Sequence, residues 1–485
     1  MKMNKIILYA FCLVLFAGAS CKKYLEKEPD NRATLTSPEK VSQLLGTAYP
    51  TANYMTFTEA LSDNARDKGS GIIDTRNLDP YFFNDVRDDE QDSPEYYWAA
   101  CYEAIAAANQ AIQTSNQAPN PNNYSAQKGE ALLARAYSHF MLVSLYSKFY
   151  DPATAASDPG IPYVTEPETV VIKQYERKTV AYVYDMIEKD IIEGLPLIND
   201  QTYTVPRYHF NRAAGNAFAA RFYLYKREYT KAVQHAGIAV PNFLPNLRPW
   251  NSIYQNLGLN DLPLVYQKAT EPANLLLIGT TSFYANGYQY GRFRYAMDAA
   301  VQAQVFQNPV PVTGGSWSFR TGSVGSGNIV VPKLSQHFAY ETPTSDFGLG
   351  YVMVPAFTVE EVLFNKAEAN AYLNNFPAAI TDLNTYVSTR INNFNSATHV
   401  ITEAKLSTYS GNNSVKDGLI KLILNYKRAE FVQEGMRWFD ILRYKIPVVH
   451  TTTTGQTLTL GPDDPRRLLQ IPDPAKLSGI AQNPR

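Results

Sequence analysis

The stretch Lys421 to Ile446, KLILNYKRAEFVQEGMRWFDILRYKI, constrains this chain more than any other. Leu419, Ile420, Ile423, Leu424 and Phe431 fall on one helical stripe. Gly435 offers the left-handed turn that ends such a helix, and a second short helix follows, with Trp438 and Leu442 four apart on one face. Between the apolar positions stand three arginines, Arg428, Arg437 and Arg443, against three acids, Glu430, Glu434 and Asp440. That balance suits partly buried charge, because an ion buried without a partner costs on the order of several kcal/mol. The stretch predicts two helices joined at a glycine over an ion network. Glu430 and Glu434 also admit a catalytic reading, as the acid/base pair of a glycosidase.

The start of the chain predicts export. Lys2 and Lys5 precede an apolar run from Ile6 to Ala17 and then Gly18-Ala19-Ser20-Cys21, the layout of a signal peptide and too short for a membrane span. Small residues directly before Cys21 resemble the bacterial lipoprotein cleavage box, in which the cysteine becomes the lipidated first residue, although Gly18 stands where leucine is usual. Cys12 then leaves with the signal and Cys21 takes lipid, so Cys101 has no disulfide partner and reads as a small buried apolar group. Net charge is −1, and −3 without the first twenty residues, which gives no basis for nucleic-acid binding. The 34 tyrosines and 23 phenylalanines suit either packing between helices or a surface that stacks on ligands.

Taken in order, Ser37-Pro38-Glu39 starts a helix expected to reach about Tyr49. From Pro50 to Ser93 the pattern loosens around Gly69, Gly71 and the cluster Tyr81-Phe82-Phe83. Asp85, Asp88, Asp89, Glu90 and Asp92 then fit no calcium loop and suit the start of a helix. Trp98, Cys101, Ile105, Ala108 and Ile112 define that helix; its partner, about Ala126 to Phe149, is apolar nearly all round and should be buried, with His139 a core histidine. Helical patterns resume at Thr179 to Leu195, Asn211 to Lys226 and Tyr229 to Val240, and again around Ala367 to Leu383, with the small-large alternation of tetratricopeptide helix pairs. Between Pro241 and Pro355 prolines and glycines break the period. The expected fold is mainly α, a tetratricopeptide-like helical-repeat scaffold with a long, loop-rich inserted region. Residues 1–20 would be the signal peptide, 21–34 a lipid-anchored tether and 35–485 one domain. Within that domain, 35–240 is the N-terminal helical part, 241–350 the insertion, 351–446 the C-terminal helices and 447–485 a tail with little helix signal.

Three motifs in this order resemble the SusD/RagB family of nutrient-capturing surface lipoproteins. They are Trp98, Cys101, Ile105, Ala108 and Asn109 followed by Gly129-Glu130-Ala131 and Arg135-Ala136-Tyr137; R-x-E-F-x-x-E-G-x-R-W-F-D-x-x-R from Arg428 to Arg443; and Ile471-Pro472 with Gln482-Asn483-Pro484, where Arg485 replaces the usual glycine. The resemblance implies an outer-membrane lipoprotein that lids a SusC-like TonB-dependent transporter and binds its ligand without catalysis. It implies no cofactor and does not fix binding positions. From loop aromatics with nearby donors, the candidate ligand-binding residues are Tyr81, Tyr288, Tyr290, Arg292, Trp317 and Arg320. An oligosaccharide is the expected cargo. A peptide is the alternative, since Arg292, Arg294 and Arg320 could meet carboxylates, and a surface glycosidase using Glu430 and Glu434 is the third reading. No H-E-x-x-H or G-x-S-x-G pattern is present.

Overall fold

The computed structural model describes residues 35–485 apart from 171, 286–288, 324–326, 341 and 343. The expected signal peptide, Cys21 and the expected tether therefore lie outside the described residues, as does Tyr288. In chain order come α1 (Pro38–Leu45), α2 (Met55–Leu61), β1 (Arg66–Asp67), α3 (Thr75–Tyr81), α4 (Pro94–Gln117), α5 (Ser125–Tyr146), α6 (Val180–Gly194), α7 (Arg212–Tyr225) and α8 (Tyr229–Ala239). The next region holds α9 (Asp261–Tyr266), β2 (Asn274–Thr281), α10 (Gln289–Arg292), β3 (Tyr295–Ala296), α11 (Ala299–Val305), β4 (Gly322–Ser323), β5 (Ile329–Val330), β6 (Gln336–Tyr340) and β7 (Gly348–Thr358). Then follow α12 (Val359–Tyr372), α13 (Phe376–Val387), α14 (Glu403–Ser410), α15 (Val415–Glu430), α16 (Met436–Arg443), β8 (Val448–Thr451) and β9 (Thr457–Leu460).

The fold is mainly α and built from helix pairs. α4 packs on α5, α7 on α8, α12 on α13 and α14 on α15, while α6 lies along α5 and α8 along α12. Capping side chains start these helices: Ser37, as the sequence predicts, and Ser93, Thr179 and Asn211 each accept a hydrogen bond from a first-turn amide. α5 is buried on all sides from Gly129 to Tyr146. Within it, Arg135 forms a two-pronged bond to Asp190 at 2.7 Å and a third to Asn109 at 2.9 Å. His139 meets the Arg135 carbonyl through Nδ1 and accepts from the Val164 amide through Nε2, which fixes it as a neutral core side chain; burial pushes its pKa down to about 3. Cys101 is likewise fully buried and unbonded to sulfur, its thiol pushed up by burial.

Two expectations need correction. The first helix of the anchor stretch stops at Glu430, so Phe431 sits just past its end, and Gly435, with φ 75°, opens α16 rather than closing α15. Second, the inserted region and the tail hold more regular structure than turn residues suggest. β2, β7 and β6 form an antiparallel sheet in that order, and β8 pairs with β9. β2 and β7 carry glycines that weaken their alternation, and β2 finds its register on β7, seventy or more residues along the chain.

The charges of the anchor stretch are buried and paired, but mostly not with one another. Glu430 lies between Arg390 Nε, at 2.8 Å, and the Tyr386 hydroxyl. Arg390 also reaches Glu360 at 3.0 Å, and Glu360 binds Arg248 at 2.7 Å; all four ionic side chains are 0% exposed. Glu434 holds Lys333 at 2.6 Å, Lys427 holds Asp440 at 2.5 Å, Arg443 binds Glu368, and Arg437 and Arg428 share Asp63. Burial alone would raise the Glu430 carboxyl, yet Arg390 outweighs it and holds the group below the ordinary carboxylate range. The network ties α12, α13, α15 and α16 to the segments at 248 and 333.

Removing Arg390 leaves Glu430 without its paired cation and Glu360 with Arg248 alone. Arg390→Met is expected to cost about 3–5 kcal/mol of unfolding free energy in urea titration. A loss below about 1 kcal/mol would mean that the network carries little of the fold.

Candidate functional site

A surface platform forms where loop 66–74, residues 282–285 and 289–296, and the paired strands β4 and β5 meet. β1 pairs with β3, Arg66 opposite Ala296 and Asp67 opposite Tyr295, and the pairing continues outward as Ile72 N–H donates to the Arg292 carbonyl at 2.9 Å and Arg294 N–H to the Ile72 carbonyl at 2.8 Å. Gly71 permits this approach. Its φ is 120°, and a Cβ there would stand 2.5 Å from the Arg292 carbonyl oxygen. Asp67 gathers the loop: it accepts from Arg294 at 2.7 Å, Gly69 N–H at 2.9 Å and Thr453 N–H at 3.0 Å. Burial opposes its charge, but these donors prevail and keep the carboxyl well below its usual range. Lys68 donates to the Gly291 carbonyl at 2.8 Å and to Asn328, which joins α10 to the paired strands β4 and β5; burial brings its ammonium down to about 8 against the pull of Asp298.

The predicted residues separate on this frame. Arg292 is exposed at the end of α10, with its backbone clamped and no ion-pair partner among the described residues. Arg320, also exposed and unpaired among the described residues, lies two positions before β4, the strand paired with β5, which in turn touches α10. Tyr290 belongs to α10 as well. Arg294, by contrast, is spent on Asp67.

Tyr81 is a correction. It is the last residue of α3 and 0% exposed, stacked between His450 (centroids 4.2 Å apart, planes 1° apart) and Tyr295 (4.4 Å). Its hydroxyl accepts from Asp67 N–H and donates to the Thr451 carbonyl. Both ring faces are covered, so the residue supports the platform from below instead of meeting a ligand. Trp317 also differs from a side chain on an open glycine loop. Ser318 N–H donates to the Arg390 carbonyl and Asn392 N–H to the Ser316 carbonyl, both at 2.9 Å. These bonds press the partly exposed ring edge-on against Tyr426 at 5.2 Å. Its bulk comes from α15, which local sequence could not reveal.

Exposed rings occur elsewhere. The β6–β7 hairpin runs three residue pairs beyond the end of β2, and its Phe338, Tyr340 and Phe347 are 50%, 62% and 75% exposed, with Phe283 beside the same sheet end at 41%. Sequence reasoning passed over them because glycines and prolines had marked the region as loop. Lys68 and Gln433 were missed too; only the Gly69-x-Gly71 spacing hinted at a close backbone approach. The acidic run before α4 is spread over structural contacts: Asp85 on Arg485 at 2.6 Å, Asp88 on Thr75, and Asp92 on Ser282 at 2.5 Å and the Phe283 amide at 2.8 Å. Among the described residues, no three His, Cys, Asp or Glu side chains converge as a metal site.

Comparisons with known proteins agree with one another. A family model described as starch-binding associating with outer membrane matches residues 23–224, and the SusD family model matches residues 348–461. A crystal structure of a SusD superfamily protein from Bacteroides thetaiotaomicron superposes with TM-score 0.67 at 19% identity, covering 93% of this chain and 100% of that one. A SusD superfamily protein from Bacteroides fragilis gives 0.69 at 19%, covering 92% and 99%. A putative sugar binding protein from Bacteroides vulgatus gives 0.69 at 18%, covering 93% and 99%. No curated protein matches.

Two measurements test the platform. Gly71→Ala should cost about 1–3 kcal/mol and speed amide exchange at Ile72 and Arg294 while α4 and α5 stay protected; unchanged exchange would disprove the close approach. Asp92, 3% exposed, has its carboxyl raised by burial to about 6. Between its unfolded value and pH 6 the folded chain holds a proton that the unfolded chain has released. Its contribution to stability therefore grows as pH falls through 6 and is lost above it. Wild type should gain melting temperature over Asp92→Asn when pH drops from 7.5 to 5, and parallel profiles would refute the assignment.

Proposed function

Because this chain belongs to the SusD/RagB family, we propose that it is a surface-exposed, lipid-anchored glycan-binding protein of the outer membrane. It captures oligosaccharides and passes them to a SusC-like TonB-dependent transporter. Cys21 carries the lipid, and residues 21–34 lift the body off the membrane. The observation that carries the ligand reading is Arg292, an exposed guanidinium with no ion-pair partner among the described residues, on a backbone locked from beneath; the exposed rings of Phe283, Phe338, Tyr340 and Phe347 stand elsewhere on the surface. Ring faces stack on the apolar faces of sugars, and guanidinium groups donate to their hydroxyls, which holds a neutral polar ligand without chemistry. Starch-binding and sugar-binding descriptions among the matches favour the same ligand class. Glu430 and Glu434, at 0% and 4% exposed and held by Arg390 and Lys333, speak against the glycosidase reading.

Peptide cargo is the second reading, favoured by two exposed guanidinium groups, Arg292 and Arg320, that would suit carboxylates. Isothermal titration against neutral oligosaccharides, with maltoheptaose first in the panel, is expected to show saturable binding that Arg292→Ala weakens about tenfold, the scale of one charge-assisted hydrogen bond. A panel silent throughout, together with peptide copurifying with the native protein, would replace the glycan by a peptide.

A further inference from the structure

Gln433 lies in the turn between α15 and α16, 6% exposed, with φ 65° in the left-handed region that a non-glycine residue seldom adopts. Its side-chain amide behaves like a missing strand partner. Oε1 accepts from Val331 N–H at 2.8 Å, and Nε2 donates to the Ile329 carbonyl at 2.9 Å. Its own carbonyl accepts the Tyr284 hydroxyl at 3.3 Å. One residue of the helical body thus holds both segments that frame the platform. From Ile329 the chain of contacts runs to Asn328, then through Lys68 to the Gly291 carbonyl, beside Arg292. Lys333 grips the same turn, donating to the carbonyls of Glu430 and Val432 and to Glu434. A strained backbone kept in place by several outside bonds is over-determined, and such positions cluster where geometry serves function.

We propose that Gln433 is the positioning residue of the ligand platform: its side-chain amide pins β5 to the turn whose own carbonyl holds Tyr284, and so sets the placement of Arg292 through Asn328, Lys68 and Gly291. The inference rests on the ligand reading above for its purpose, but not for its geometry. Glutamine suits the position because the amide offers a donor and an acceptor at once. Asparagine is one methylene shorter, and an ionised glutamate has no donor for the Ile329 carbonyl.

The test uses the full chain with Gln433→Ala and Gln433→Glu, read by hydrogen–deuterium exchange. In Gln433→Ala, amides of 289–293 and 328–333 should exchange about tenfold faster, the effect of one buried hydrogen bond lost, while α4, α5 and α12 keep wild-type protection. Gln433→Glu should match wild type at pH 5, where a protonated carboxyl restores the donor, and match Gln433→Ala at pH 8. Glu59, Glu434, Lys333 and Asp92 also stand around this turn and its partners, and burial places the Glu59 carboxyl at about 7. Gln433→Ala carries all four, so the difference between the two variants isolates residue 433. Unchanged exchange in either segment, a pH-independent Gln433→Glu, or loosening that spreads equally through α4 and α5 would each overturn the inference. Any oligosaccharide of the maltoheptaose panel that wild type binds should bind Gln433→Ala about tenfold more weakly, and equal affinity would also overturn it. If wild type binds none, the glycan reading fails while the exchange data still decide the role of Gln433.

Discussion

Arg390 between Glu360 and Glu430 is the interaction on which the rest of the molecule depends. Ions withdrawn from water are tolerated only when each finds a partner in good geometry, since an orphaned one costs more than most single contacts in a core can offset. Here the requirement joins elements that do not otherwise share a hydrogen-bonding ladder. Glu360 comes from α12, Arg390 from the end of α13, Glu430 from α15, and Arg248 from an extended segment. None of these four side chains can be satisfied until the others are in place. The network works as a register pin, choosing one arrangement of apolar helices that could otherwise slide.

The helical body was readable in the sequence for a physical reason. Trp98 to Ile112, the buried α5 and the capping residues Ser37, Ser93 and Thr179 act locally, so the period of the side chains and the chemistry of the caps survive without tertiary knowledge. The anchor stretch announced that its charges would be paired, but not with what. Within the stretch Asp440 meets Lys427 and Arg443; the other partners, Asp63, Lys333, Glu368 and Arg390, are remote. Sign and number are local properties of a sequence, and partnership is not.

The candidate site was legible in part for the same reason. Exposed Arg292 and Arg320 stand out because glycine-rich surroundings offer little to bury them. Tyr81 and Trp317 are more covered than their local sequence suggests because the side chains against them, His450 and Tyr295 in one case and Tyr426 in the other, come from distant parts of the chain. Phe338 and Tyr340 escaped notice because each faces a glycine, Gly350 and Gly348, across the hairpin, which hides the strand pattern while leaving the rings open to solvent. Gln433 was hidden more deeply. Nothing in a lone glutamine tells that its amide will stand in for a strand.

The plate of His450 over Tyr81 has a consequence for the order of assembly. His450 is carried by β8, among the last thirty-six residues of the chain, and Thr451 and Thr453 from the same hairpin close on Tyr81 and Asp67. A nascent polypeptide that has emerged only as far as α15 can fold its helix pairs but lacks the lid that seats β1 and β3. The platform built on β1 and β3 is therefore completed last, when the carboxyl-terminal hairpin arrives.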